Sequence, residues 1–281
     1  MDAASRWTLG SGVFVAQALS QQIVTSGDPS PLAPLASMVP KPSAAAVKFG
    51  GDWGGVWGSP ETWGKLSPKS PTPPPLPVIP YLYIVPQHVD AYPAMIGGFF
   101  ADGYPAVILD VEMDWEGHEK ELGSLLDQLN LADNLIGLCG YAWYDGWQDQ
   151  GRAMAEALKG KDLIYMPMAY AGVGWISPSG PPMDYIEAEL FGLGIIERSS
   201  TAFIFDGSAL DQGWQDAISS FHQASWYWYS QTLTIPRWRY LQPGVANVGN
   251  ASAKVVLEKV RQKLAVIAND VDDLCIFAGQ S

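Results

Sequence analysis

Ala106-Val-Ile-Leu-Asp110-Val-Glu112-Met-Asp114-Trp-Glu116 is the stretch that decides how this 281-residue chain is read. An apolar, β-branched run follows the turn residues Gly103-Tyr-Pro105 and ends in four carboxylates at alternate positions. Gly117 and a helix-like pattern come next. The run predicts a buried strand fed by a turn. Side chains alternate faces along a strand, so Ile108, Asp110 and Glu112 share one face and Val107, Leu109 and Val111 the other. Carboxylates are seldom buried without a partner or a task. A strand with apolar residues on one face and acids at the C-terminal end of the other suits a barrel enzyme, whose chemistry sits at the strand ends. The plainer reading buries only Asp110 and leaves the other acids to cap the next helix.

Outward from this strand, strand-like runs alternate with helix-like ones. Upstream strands are predicted at 12–19, 44–52 and 81–86, and downstream ones at 134–143, 162–170 and 273–279. Two runs, 201–206 and 234–241, compete for the seventh place. Helical patterns cover about 90–100, 117–129, 147–158, 183–191 and 251–268, with Leu122, Leu125, Leu126 and Leu129 at helical spacing in the second. Asp28 before Pro29 reads as a cap followed by proline at the first helical position. This alternation implies parallel βαβ units and favours an α/β fold closed as a (β/α)8 TIM barrel, a single domain over 1–281. A proline-rich loop occupies 67–80. Taking 234–241 as strand seven makes 201–206 part of an insertion, over 195–230, before it. No Gly-x-Gly-x-x-Gly follows a strand and opens a helix, so nothing favours a dinucleotide fold.

Composition narrows the function classes. A net charge of -13 argues against nucleic acid as a partner. Twelve Trp and twelve Tyr, several in Gly-rich loops, suit stacking on the apolar faces of sugar rings. Two cysteines, Cys139 and Cys275, fall in separate predicted strands and indicate no disulfide framework, and with three histidines they make no zinc motif. No apolar run approaches the roughly 18 residues of a membrane span. The patch at 12–19 lacks a basic leader beyond Arg6, so no signal peptide is expected and the location stays open, with extracellular or phage-associated settings compatible.

The predicted strand ends define a mouth. They bring Asp52 and Trp53, Gln87 and His88, Asp110 with Glu112 and Asp114, then Tyr141, Trp143 and Asp145, and finally Tyr170, Arg239 and Gln242. Glycosidic cleavage needs a protonated carboxylic acid at the leaving oxygen and a second carboxylate as base or nucleophile. Asp110 and Glu112, two apart on one face, have Cα atoms about 6.5 Å apart. Like charges that close push their pKa values apart. Glu112, with the longer reach, is the expected acid and Asp110 its partner. Asp114, Asp52, Trp53, Tyr141, Trp143, Tyr170 and Arg239 are expected to contact a polysaccharide substrate. For Asp52 a turn role competes, and for the aromatics a place in the barrel core. His88 and His118 read as surface or cap residues. No metal or cofactor is expected.

Tyr104-Pro105-Ala-Val-Ile-Leu-Asp110-Val-Glu112 resembles the strand-four segment of the glycoside hydrolase family 25 lysozyme-like barrels, and 135–144 with Trp147 resembles that family's next strand. The resemblance implies cleavage of bacterial peptidoglycan, as by phage-encoded endolysins. That family has an Asp at the end of its first strand, whereas 12–19 here offers Gln17. A second likeness, of Glu112-Met-Asp114-Trp115-Glu116 and of 166–170, is to chitinase-like family 18 barrels, with Ala171 where an Asp is expected. The rival expectation is a non-catalytic barrel that binds carbohydrate or builds a structure such as a phage particle.

Overall fold

Consecutive strands of this chain lie side by side and run in the same direction, as the alternation of strand and helix patterns requires. The computed structural model describes residues 12–37, 41–51, 55–141, 157–169, 204–205 and 226–229. Strand β1 (Gly12–Val15) is followed by α1 (Gln17–Ser26) and α2 (Ala33–Ala36), and β2 (Ala45–Lys48) by α3 (Pro60–Leu66). Next come β3 (Val78–Tyr83), α4 (Tyr92–Ala101), β4 (Val107–Val111) and α5 (Glu119–Gln128). Strands β5 (Ile136–Tyr141) and β6 (Ile164–Ala169) extend the curled parallel sheet. Two short strands, β7 (Ile204–Phe205) and β8 (Trp226–Tyr229), continue the order, and β8 pairs back onto β1.

Two layers of side chains follow from the strand alternation. Val13, Val15, Ala45, Val47, Val78, Leu82, Val107, Leu109, Ile136 and Leu138 face outward and join one apolar cluster with the helices. The opposite face, with Phe14, Ala46, Lys48, Tyr81, Ile108, Asp110 and Cys139, lines the inside of the curl and is buried too. The leucine pattern after β4 is borne out, because Leu122, Leu125 and Leu126 of α5 are fully buried in the outer layer. At the turn before β4, Gly103 takes φ +87, a left-handed conformation that favours glycine.

Four expectations are corrected. Strand one ends at Val15 rather than at residue 19, since Leu19 and Ile23 repeat with helical period and the chain turns into α1 at Ala16. The helix expected from residue 117 begins at Glu119, because Gly117 (φ +78) makes a turn before it, and none of the preceding acids supplies a side-chain cap to it. The run at 201–206 is not an insertion, because Ile204 and Phe205 pair with Met168 and Ala169 of β6. The stretch 195–230 also supplies β8, whose Trp-Tyr-Trp-Tyr run has the aromatic strand propensity of a barrel stave. The runs at 234–241 and 273–279, expected as strands seven and eight, lie outside the described residues.

Candidate active site

β4 carries the first acid inward. Asp110 sits opposite Tyr83 of β3 and Cys139 of β5 in the ladder, and it is 2% exposed. The Tyr81 hydroxyl, on the same inner face of β3, donates to Asp110 Oδ2. Two residues on, the chain is still extended at Glu112, which is half-buried and closes the strand before a 3-10 turn over Met113–Trp115. Asp114 on that turn accepts from the Tyr83 hydroxyl. Two tyrosines spaced two apart on β3 thus hold two aspartates that leave β4 on the same side.

The turn is fixed from beneath. Trp115 is fully buried, and its indole Nε1 donates to the Ile84 carbonyl at 2.8 Å, just past the end of β3. The Val85 amide donates to the Tyr92 hydroxyl at 2.8 Å, which ties the following segment to α4. Met113 is left exposed between the two acids.

Lys48 completes the inner face. It ends β2 in register with Tyr81, and only 7% of it is exposed. Its ammonium lies 5.8 Å from the centre of the Tyr81 ring and 5.4 Å from that of Tyr83, within cation–π range. Ser20 of α1 fixes its backbone: the Ser20 hydroxyl donates to Val15 O at 2.9 Å and accepts from the Lys48 amide at 3.1 Å. Phe14 of β1 packs edge-on against Tyr81 at 5.0 Å, filling the inside where β1 passes.

The electrostatics follow from burial and the acids. Tyr83 is held well above its ordinary value, first by burial, then by its bond to Asp114 and the charges of Glu112, Asp114 and Asp110. Burial likewise pushes the Cys139 thiol up, and the charges of Asp110 and Glu112 add to it. Both groups therefore stay protonated and serve as donors beside the carboxylates. Among the described residues, no set of three or more His, Cys, Asp or Glu is arranged to hold a metal ion.

Of the residues expected at the mouth, the structure brings Asp110, Glu112 and Asp114 together. Tyr141 ends β5, the strand beside them. His88 is exposed in a 3-10 segment, Pro86–Ala91, together with Gln87. Asp52, Trp53, Trp143, Tyr170 and Arg239 lie outside the described residues. Sequence reasoning missed Lys48, Tyr81, Tyr83 and the inner position of Cys139. A signal for Lys48 existed: in Ala44-Ala-Ala-Val-Lys48-Phe it breaks an apolar run on the same parity as Ala44 and Ala46, the face opposite Val47.

No protein-family model and no curated protein sequence matches the chain. Solved structures do. A dihydrodipicolinate synthase from Agrobacterium tumefaciens str. C58 is 14% identical, with 96% of this chain and 85% of that one covered and a TM-score of 0.52. A sugar phosphate isomerase/epimerase from Parabacteroides distasonis is 10% identical over 79% of this chain and 92% of that one, at TM-score 0.49. Thermotoga maritima Cel5A is 11% identical over 82% and 92%, at TM-score 0.34. At such identities the first of these supports a TIM-barrel-like arrangement of parallel strands and alternating helices, and only that. No helix among the described residues is long and apolar enough to cross a membrane.

Proposed function

We propose that the chain is a single-domain (β/α)8 barrel that hydrolyses a polysaccharide by carboxylate acid/base chemistry. The observation that carries the reading is the placement of Asp110 and Glu112 on the inner face at the carboxyl end of β4, with Tyr81 holding the first. In this reading Glu112, half-buried at the rim, protonates the departing glycosidic oxygen. Asp110 keeps negative charge beside the sugar ring as positive charge develops there. Asp114, oriented by Tyr83, accepts hydrogen bonds from sugar hydroxyls. Trp53, Tyr141, Trp143 and Tyr170 supply stacking faces, and Asp52 and Arg239 add polar contacts. The strand-four resemblance to family 25 makes bacterial peptidoglycan the first glycan to try.

The test is release of new reducing ends from a panel comprising peptidoglycan, chitin and several glucans. Wild type cleaves at least one, and Glu112→Gln loses on the order of 10²-fold or more of that rate. A wild type that cleaves none, or a Glu112→Gln that cleaves equally well, ends this reading.

One observation favours the second reading, a non-catalytic carbohydrate-binding or structural barrel. Where the resembled family places an acid at the end of its first strand, the inner face of β1 holds Phe14, and Gln17 is exposed at the start of α1. Glycan retention without cleavage, unchanged in Glu112→Gln, is the result that reading expects.

A further inference from the structure

We propose that Cys139 is a positioning residue: its thiol, on β5, donates to the Asp110 carboxylate and, together with the Tyr81 hydroxyl on β3, favours the ionised form of that acid. This rests on the glycosidase reading, in which Asp110 carries charge beside the sugar, and deepens it. β4 lies between β3 and β5, so the two donors come from the two strands that flank Asp110. Cys139 is opposite Asp110 in the β4–β5 ladder, which puts both side chains on the inner face. The thiol is fully buried and within hydrogen-bonding reach of both the Asp110 side chain and the Tyr81 hydroxyl.

Chemistry decides which way that bond runs. Burial, with the charges of Asp110 and Glu112, keeps the thiol protonated, and a protonated thiol beside a carboxylate is the donor. Cysteine is often a small apolar filler in a core, with no partner to speak of. Here its neighbour across one ladder is a carboxylate that is 2% exposed, a group that needs donors. Met166, opposite Cys139 on β6 and equally buried, brings no proton to donate. A thiol is a weak donor to neutral groups, but bonds to an ionised acceptor in a buried space are stronger. Each bond accepted by the charged form of a carboxyl favours that form. Lys48 of β2, Glu112 and Asp114 bring further charge to this space, while the Tyr83 phenol and Phe14 of β1 bring none. All of these are held constant when Cys139 alone is changed.

The test reads the thiol and the carboxyl directly and needs no turnover. In a Cys275→Ala background Cys139 is the sole thiol of the chain, and its S–H stretch is followed by infrared spectroscopy. The band moves to higher frequency as Asp110 takes up its proton at low pH, and likewise in Asp110→Asn. The carboxyl carbon-13 resonance of Asp110 is followed by NMR against pH in wild type, Cys139→Ala and Cys139→Ser. Its midpoint rises by about half a pH unit or more in Cys139→Ala. In Cys139→Ser, which keeps a donor, it stays at or below the wild-type value. Should a Cys139 variant fail to fold, the pH titration of the thiol band in the Cys275→Ala protein decides alone. A band indifferent to the Asp110 titration overturns the proposal. So does an Asp110 midpoint equal in wild type and Cys139→Ala, or one that rises alike in both variants. Absence of glycan cleavage overturns the glycosidase reading and leaves the spectroscopic result standing, so the two failures are told apart.

Discussion

Tyr81 on β3 donates its hydroxyl to Asp110 on β4, and both side chains are about 2% exposed. This cross-strand bond satisfies one oxygen of a carboxylate inside the curl of the parallel sheet, near the carboxyl ends of its strands. Tyr81→Phe removes the donor and leaves an acid with one partner fewer in a buried space. Stability falls by about 1–3 kcal/mol in chemical denaturation. Asp110→Asn in the Tyr81→Phe background costs less than it does in wild type, because the shared interaction is already lost. Strictly additive losses in this double-mutant cycle would show that the bond contributes nothing.

Trp115 anchors the turn that carries Asp114. It fills a fully buried site and donates to Ile84 O. Trp115→Ala is expected to lose about 3–5 kcal/mol, the range for large aromatic truncations in cores. Trp115→Phe retains most of the volume and loses the hydrogen bond, so it falls between the two. A Trp115→Ala protein that melts with wild type would remove the anchor from this account.

Gly140 on β5 sits opposite Val111 at the end of β4. A Cβ there would stand 2.6 Å from the Val111 carbonyl oxygen, next to Glu112. Backbone, not a flexible side chain, is what it would meet. Gly140→Ala is expected to cost about 1–3 kcal/mol by forcing the strands apart. Gly64, in the helix α3 and with nothing within 4 Å of an added Cβ, is the control, and Gly64→Ala should be neutral or stabilising. Equal melting of the two variants would count against the close contact.

Alkaline pH should destabilise the fold. Burial raises Cys139 well above 9.0, the usual thiol value, and burial likewise raises Tyr104 and Tyr165 above 10.0. Each group has a higher pKa folded than unfolded, so the unfolded chain loses protons first and stability drops as pH rises. The thiol's contribution is fully present below about pH 9 and is lost above it. Cys139→Ala flattens the decline of the melting temperature just above pH 9, whereas the tyrosine contribution above pH 10 remains. An identical slope in the variant would show that the thiol takes no part.

How much of this was legible in the sequence depends on how far apart the cooperating residues are. Asp110 and Glu112 belong to one strand, so the period of two was enough to put them on one face. The leucines of α5 were readable in the same way from their helical spacing. Lys48 and Tyr81 are partners only because β2 and β3 pair in one register, and a register between strands is written nowhere in either segment. Apolar context misled at the first strand, where a run from Gly12 to Leu19 conceals the change from strand to helix at Ala16. It misled again at the seventh, where two residues suffice for pairing and the longer run at 234–241 drew the assignment. The aromatic run of β8 carries strand propensity, yet it lies within the stretch 195–230 that the sequence pattern alone reads as an insertion.

The buried indole under the Met113–Trp115 turn has a consequence for any ligand. Glu112 hangs between a paired strand on one side and a clamped turn on the other, and Asp114 is braced by a phenol. On the glycosidase reading, acids held in this way meet a sugar with little ordering, so little entropy is lost at the moment of capture. On that reading a braced floor of this kind selects shape, because the sugar conforms to the carboxylates rather than the reverse.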